Sequence, residues 1–217
     1  MNASLNEIES LCKKAARGAG LSWGLAEEAG KAARWLSGNG LDGPALLAAQ
    51  LRLDDGCAYP QLTPDPGAER WELAGRALCP LIAGVTLSDH AFLLRRKGEI
   101  QLGAMSHPQL LMPFASAAAR QLNIALQVSW QGCVLEFSPG GEAVLIQADN
   151  FICPHVAGVH CTRIALATQG ANAICGSIPA LVTSVHEYLE SLAARTYVPA
   201  SDASRLSGAG AGLSDNT

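Results

Sequence analysis

Apolar side chains recur at helical spacing from the first residues of the chain and predict an N-terminal helix. Ser4 and Glu7 form an S-x-x-E capping box, a pattern typical of a helix start. Gly18 and Gly20 are placed to end this helix. The apolar positions that share one face are Leu5, Ile8, Leu11, Cys12, Ala15 and Ala19.

Two further helices follow. The second is predicted to begin after Ser22 and to end at Gly38 or Gly40. Because the linker before it is short, we expect the first two helices to form an antiparallel hairpin. Pro44 opens a third, shorter helix that ends at the sequence DDG, residues 54–56.

Beyond the third helix, apolar residues no longer recur at helical spacing and begin to alternate with polar residues. Residues 57–76 contain three prolines and are expected to form an ordered loop, with a helix over residues 68–79 as an alternative. Residues 91–96 and 99–105 flank a Lys-Gly pair, which predicts a tight β-hairpin.

The clearest strand follows a further predicted helix over residues 108–122. In the stretch IALQVSW, residues 124–130, apolar and polar side chains alternate strictly. Glycine-containing turns then lead into two more apolar strands. This pattern predicts an antiparallel meander with one solvent-exposed face. Another strand over residues 158–166 and a final helix from Pro179 complete the pattern.

These elements predict an α+β fold. An N-terminal helical hairpin is expected to pack with a mainly antiparallel sheet and a C-terminal helix. The absence of strict β-α-β alternation argues against a doubly wound parallel sheet. We expect a helical segment over residues 1–56 and an α+β body with a C-terminal tail over residues 57–217, together forming one cooperative domain.

Composition then excludes several classes of function. Hydrophobic residues make up 49% of the 217 residues and charged residues 16%, so a substantial core is expected. A net charge of −4 without a basic stripe argues against a nucleic-acid partner. No stretch approaches the ~20 apolar residues that span a bilayer, and the N-terminus lacks the pattern of a secretory signal. With an odd, unpatterned set of seven cysteines, these features predict a cytoplasmic protein with reduced thiols and no membrane partner.

Glu27 and Glu28 are the candidate catalytic residues. Both fall in the early turns of the second helix, where carboxylates also simply oppose the helix dipole. In the functional alternative, one of them points into a cleft beside Trp23 and acts as a general base or holds a ligand amine. The neighbouring glycines of GAGLSWG follow a helix rather than a strand, which is the wrong context for a dinucleotide site, and no cofactor is predicted.

The stretch CPHVAGVHC offers thiols and imidazoles, which zinc favours as ligands. His160 and Cys161 are neighbours in a predicted strand and therefore point to opposite faces. Only Cys153 and His155 are spaced to chelate an ion from one side. We expect core thiols and partly exposed histidines here rather than a metal site. His107, which precedes a proline, is an isolated histidine at a position typical of a helix cap.

The C-terminal tail is the candidate ligand-binding segment. Its last residues, GAGAGLSDNT, lack the apolar mass that would offset their ordering entropy. We hypothesise that residues 196–206 fold back against the helical hairpin, where the planar guanidinium of Arg205 suits a carboxylate. A disordered tail is the alternative. The predicted ligand-binding residues are Trp23, Tyr197, Ser201, Ser204 and Arg205.

Both ends of the chain resemble an uncharacterised bacterial domain-of-unknown-function family. The resemblance lies in the N-terminal SLNEIESLCKKAARGAGLSWGLAEEAGKAARWL and in the C-terminal LESLAARTYVPASDASRLSGAGAG. It implies a bacterial protein linked to small-molecule metabolism. The family has no established activity, so the resemblance assigns no catalytic role to any residue.

Three functional hypotheses remain open. The first is a binding or accessory protein of catabolic metabolism for a small carboxylate or amino-acid-type molecule. The second is a cofactor-independent lyase or isomerase that uses Glu27 or Glu28 with Arg205. The third is a metal-binding protein that uses Cys153 and His155. Homo-oligomerisation is compatible with each of them.

Overall fold

The computed structural model of the chain describes residues 2–168 and 173–197. These residues form seven α-helices and eight strands in an α+β arrangement, which confirms the predicted fold class. The helices are α1 (Leu5–Gly18), α2 (Trp23–Gly38), α3 (Gly43–Asp54), α4 (Pro80–Asp89), α5 (Phe92–Lys97), α6 (Met112–Leu122) and α7 (Thr183–Ala194). The strands are β1 (Arg70–Trp71), β2 (Glu99–Leu102), β3 (Met105–Ser106), β4 (Ala125–Trp130), β5 (Cys133–Phe137), β6 (Ala143–Gln147), β7 (His155–Val156) and β8 (Val159–Ile164).

The helical hairpin of α1 and α2 is confirmed. The amide of Glu7 donates to Ser4 Oγ at 3.3 Å and the amide of Ser4 donates to Glu7 Oε2 at 2.8 Å, which completes the capping box. Arg34, near the end of α2, pairs with Glu9 of α1 at 3.0 Å, as expected when the two helices run antiparallel.

Helix α7 packs against α1 and α3. A methyl group at Gly18 would lie 1.8 Å from the carbonyl oxygen of Leu192, so the approach of the two helices requires glycine there. The predicted start of this helix at Pro179 is wrong, because the helix begins at Thr183. Leu181 is buried just before the helix starts, and its spacing from the apolar residues of α7 imitates one further helical turn.

A six-stranded sheet in the order β1-β2-β8-β4-β5-β6 forms the other layer, and only its β1–β2 pair is parallel. The predicted meander is confirmed in β4, β5 and β6, where Leu126 faces Phe137 and Val128 faces Leu135. These four side chains are fully buried. Helix α6 covers β4 and β5 and also contacts α2 and α4, so it joins the sheet to the helical layer.

Two expectations for the middle of the chain are wrong. The predicted hairpin around the Lys-Gly pair is replaced by α5, because Gly98 adopts φ 85° and ends a helix instead of turning between strands. The alternative helix over residues 68–79 is absent, since Arg70 and Trp71 form β1 and pair with β2.

Helix α4 was not predicted from the sequence. Its apolar residues surround the helix instead of forming one stripe, because α4 is buried on nearly all sides. The core is one cluster that extends from Ile8 to Leu192 and includes both layers. None of the helices among the described residues has the length and apolarity to cross a bilayer.

Candidate functional site

The inner face of α3 carries two buried polar side chains one turn apart. Gln50 is 1% exposed and Asp54 is 7% exposed. Gln50 Nε2 donates to Asp54 Oδ2 at 2.7 Å, which fixes the carboxylate plane. Buried polar groups of this kind are costly unless they are hydrogen-bonded, so their presence among Leu47 and Leu51 marks a special position.

Arg76 completes an ion pair with this carboxylate. Its Nη2 lies 3.0 Å from Asp54 Oδ1, and its Nη1 lies 3.4 Å from Cys57 Sγ. The Nε atom is buried and has no hydrogen-bond partner within the described residues. Asp54 therefore holds the guanidinium in place while one of its N–H donors remains unused.

Strand β3 reaches the same group from the other side. Ser106 Oγ donates to Gln50 Oε1 at 2.7 Å and is itself only 6% exposed. Ser106 pairs across the β3–β7 ribbon with His155. Three segments distant in sequence thus form a continuous chain of contacts, from Ser106 through Gln50 and Asp54 to Arg76.

A cleft of about 510 Å³ opens above this chain of contacts. Its wall brings together ionisable side chains from α3, from the loop before α4 and from the β3–β7 ribbon. The lining residues include Asp54, Arg76, Ser106, His107, Pro154 and His155.

His107 adopts the left-handed conformation, with φ 42° and ψ 59°, which is uncommon outside glycine. Its amide donates to the carbonyl of Pro154 at 2.9 Å, and this bond connects the residue to the loop before β7. Burial lowers the pKa of His107, so the imidazole is neutral at neutral pH. The cleft therefore contains a neutral ring that can donate or accept one proton beside a fixed guanidinium.

The candidate bases Glu27 and Glu28 lie elsewhere, on the wall of a separate cleft of about 610 Å³. Their side chains are 49% and 41% exposed, and they pair with Lys13 at 3.8 Å and with Lys31 at 2.8 Å. Trp23 does not line this cleft. The structure therefore places both carboxylates at a solvated surface.

The two aromatic residues of the predicted ligand site both meet basic side chains of α1. Trp23 is 63% exposed and lies 5.1 Å from the guanidinium carbon of Arg17. Tyr197 is 58% exposed, and its ring lies 6.0 Å from Lys14 Nζ. The other three predicted residues, Ser201, Ser204 and Arg205, lie outside the described residues, as does most of the segment 196–206 expected to fold back.

The thiol and imidazole stretch separates as the strand geometry predicts. Cys161 is fully buried and His160 is exposed, so the two neighbours point to opposite faces of β8. Within the described residues, no three side chains of the metal-binding types come together. All seven cysteines are free thiols, and burial raises the pKa of Cys161 to about 12.

The comparisons with known proteins address the N-terminal part of the chain. Residues 3–79 match the family model described as "Protein of unknown function (DUF3726)". The resemblance of the N-terminal helices to an uncharacterised family is thereby confirmed. A search of curated proteins finds no match to the chain.

The DUF3726 match covers part of the candidate site. Gln50, Asp54 and Arg76 lie within the matched residues, whereas Ser106 and His155 lie beyond them. The sequence analysis named His155 but missed Gln50, Asp54, Arg76 and Ser106. The available signal was the spacing of Gln50 and Asp54, four residues apart on the same helical face as Leu47 and Leu51.

Proposed function

We propose that the protein binds a small carboxylate in the 510 Å³ cleft, with Arg76 as its anchor. The observation that carries this proposal is a guanidinium on the wall of the cleft that is 30% exposed and is held by Asp54 at 3.0 Å. A guanidinium presents its donors in one plane, which matches the two oxygens of a carboxylate. Because the ion pair is fixed before the ligand arrives, less conformational entropy is lost on binding.

The charges around Arg76 narrow the class of ligand. Asp54 already neutralises the guanidinium, so the affinity comes from hydrogen-bond geometry more than from net charge. A monocarboxylate fits this balance better than a phosphate or a dicarboxylate, since each further negative charge would meet Asp54. His107 offers a neutral imidazole at the wall of the cleft, and the ring of His155 lies on the same wall.

This binding role has more support than the lyase or isomerase alternative. That alternative depends on Glu27 or Glu28, which are paired with lysines at the surface, and on Arg205, which lies outside the described residues. The metal-binding alternative depends on Cys153 and His155, for which the described residues supply no third ligand. A role in bacterial catabolism stays a prediction based on the family resemblance.

A thermal-shift series tests the proposal, because a ligand that binds only the folded state raises its melting temperature. The probes are acetate, propionate, benzoate and glycine, each compared with the corresponding amide and with inorganic phosphate. We expect at least one carboxylate to raise the melting temperature and its amide to have no effect.

Arg76→Lys is the decisive variant because it keeps the positive charge and removes the planar fork. Arg70→Lys is its matched control, since Arg70 is an exposed arginine of β1 that pairs with Glu72 at 3.5 Å. The shift should disappear in Arg76→Lys and persist in Arg70→Lys. A shift that survives Arg76→Lys, or a wild-type protein that no carboxylate stabilises, would refute the proposal.

A further inference from the structure

A second cavity of about 370 Å³ adjoins the candidate cleft. His107 and Pro154 line both spaces, so the two meet at these residues. The walls of the second cavity are mainly apolar and come largely from α3, from the residues just before it and from the loop before β7. They include Leu41, Ala45, Leu46, Ala49 and Phe151.

Gln109 places one polar atom in this apolar wall. Its side chain is 2% exposed, and its Nε2 donates to the carbonyl of Phe151. Its Oε1 is buried and has no hydrogen-bond partner among the described residues. The carbonyl of Phe151 can only accept, so the amide cannot exchange its two ends, and the acceptor stays unpaired.

An unpaired buried acceptor costs stability unless something donates to it. Asp42, another polar residue of the wall, uses Oδ1 to cap α3 by accepting from the amide of Ala45 at 3.1 Å. Ile152, at the rim, is 87% exposed, which is unusual for an isoleucine. A ligand in the cavity would donate to Gln109 and would cover Ile152.

We propose that this cavity holds the apolar part of the bound carboxylate, and that Gln109 Oε1 accepts a hydrogen bond from a single N–H or O–H on that part. The inference rests on the proposed function for the carboxylate half of the ligand. It assigns the ligand class: a monocarboxylate joined to an apolar ring that carries one donor, as in an indole or a phenol. Such a molecule is small enough for two joined spaces of these volumes.

Isothermal titration calorimetry with matched probes tests whether an N–H or O–H group on the ring increases affinity. The first pair is indole-3-acetate and 1-methylindole-3-acetate, and the second is 4-hydroxyphenylacetate and 4-methoxyphenylacetate. In each pair a methyl group replaces the hydrogen that Gln109 would accept. We expect the donor to improve affinity about tenfold in at least one pair, as one hydrogen bond to a buried acceptor would.

Two variants test whether the affinity gained from the donor and from the ring arises in the second cavity. Gln109→Leu should remove the preference for the donor. Ala49→Phe fills the cavity from a partly exposed position of α3 and should weaken the ring-containing probes at least about tenfold while acetate binding is unchanged. Because Ala49 takes no part in the Gln109–Phe151 bond, the Ala49→Phe variant remains informative if Gln109→Leu does not fold.

Acetate and 3-methylindole separate this inference from the proposed function. If 3-methylindole binds in a Gln109-dependent way and the carboxylate adds nothing, the cavity is confirmed and the carboxylate anchor is wrong. If acetate binds through Arg76 but the ring adds no affinity, the anchor stands and this inference is wrong. Equal affinity within both probe pairs, or no effect of Ala49→Phe on them, also overturns it.

Discussion

The clefts beside α2 and α3 both carry carboxylates, and they differ in how those carboxylates are held. In the cleft of α2, Glu27 and Glu28 are 49% and 41% exposed and pair with lysines from α1 and α2. In the cleft of α3, Asp54 is 7% exposed and contacts residues from two segments. The α2 cleft is the larger, at about 610 Å³ against 510 Å³. Cleft volume therefore does not indicate which cleft is the candidate site. The burial of polar groups is the better criterion, because electrostatic interactions are stronger in a low dielectric.

Replacing the two kinds of carboxylate should give the largest contrast. Asp54→Ala leaves Arg76 and Gln50 without their shared partner, and we expect a loss of about 2–3 kcal/mol, since Arg76 keeps some solvent contact. Glu27→Ala removes an exposed pair and should cost less than about 0.5 kcal/mol. Urea denaturation of both variants measures the difference.

Equal losses in the two variants would show that burial does not distinguish the clefts. A loss of unfolding free energy confined to Glu27→Ala would favour the cleft of α2 over the cleft of α3 as the candidate site. Circular dichroism before denaturation checks that each variant starts from the same secondary structure.

Two buried serines, Ser106 and Ser37, allow a second comparison with a smaller expected effect on stability. Ser106 donates to Gln50, so Ser106→Ala leaves a buried acceptor unpaired and should cost about 1–2 kcal/mol. Ser37 of α2 is fully buried, and its hydroxyl has no partner among the described residues. Ser37→Ala should therefore be neutral or stabilising by up to about 1 kcal/mol.

The two serine variants remove the same atom from similarly buried positions. The sign of the change in unfolding free energy therefore reports the hydrogen bond and not the lost volume. If both variants destabilise the protein to the same extent, Ser106 contributes packing alone and the chain of contacts ends at Gln50.

The smallest effect concerns pH. Burial lowers the pKa of His107 in the folded protein, so the unfolded chain takes up a proton more readily. The contribution of neutral His107 to stability is therefore fully present above the unfolded-state pKa. It declines as the pH falls from the unfolded-state pKa towards the folded-state pKa. His107→Asn keeps a residue that tolerates the left-handed conformation and removes the titration. Between pH 7 and pH 5, the wild type should lose more unfolding free energy than the variant, and parallel curves would exclude this role for His107.

The helices at the start of the chain were predictable because their signals are local. The capping box at Ser4, the cap at Ser22 and the proline at position 44 each act within one turn, and each marks an observed helix start. Helix α4 gave no such signal because a helix that is buried all round has no polar face to set a period.

The candidate site was less predictable because it forms only when distant segments meet. Ser106 and Gln50 are separated by 56 residues, and Arg76 and Asp54 by 22. Arg76 falls in a stretch of little periodicity, and nothing local distinguishes it from a surface arginine. His107 and His155 stood out as residue types, but the sequence did not indicate that they share one wall.

The tight approach of Gly18 to Leu192 has a consequence for synthesis of the protein. The ribosome makes α1 first, yet Gly18 of α1 packs against Leu192 of α7, which is made more than 160 residues later. Until then, this part of α1 lacks the contact that covers it in the folded protein. Completion of the fold thus waits for nearly all the described chain to be translated, and during that interval this part of α1 is available to chaperones.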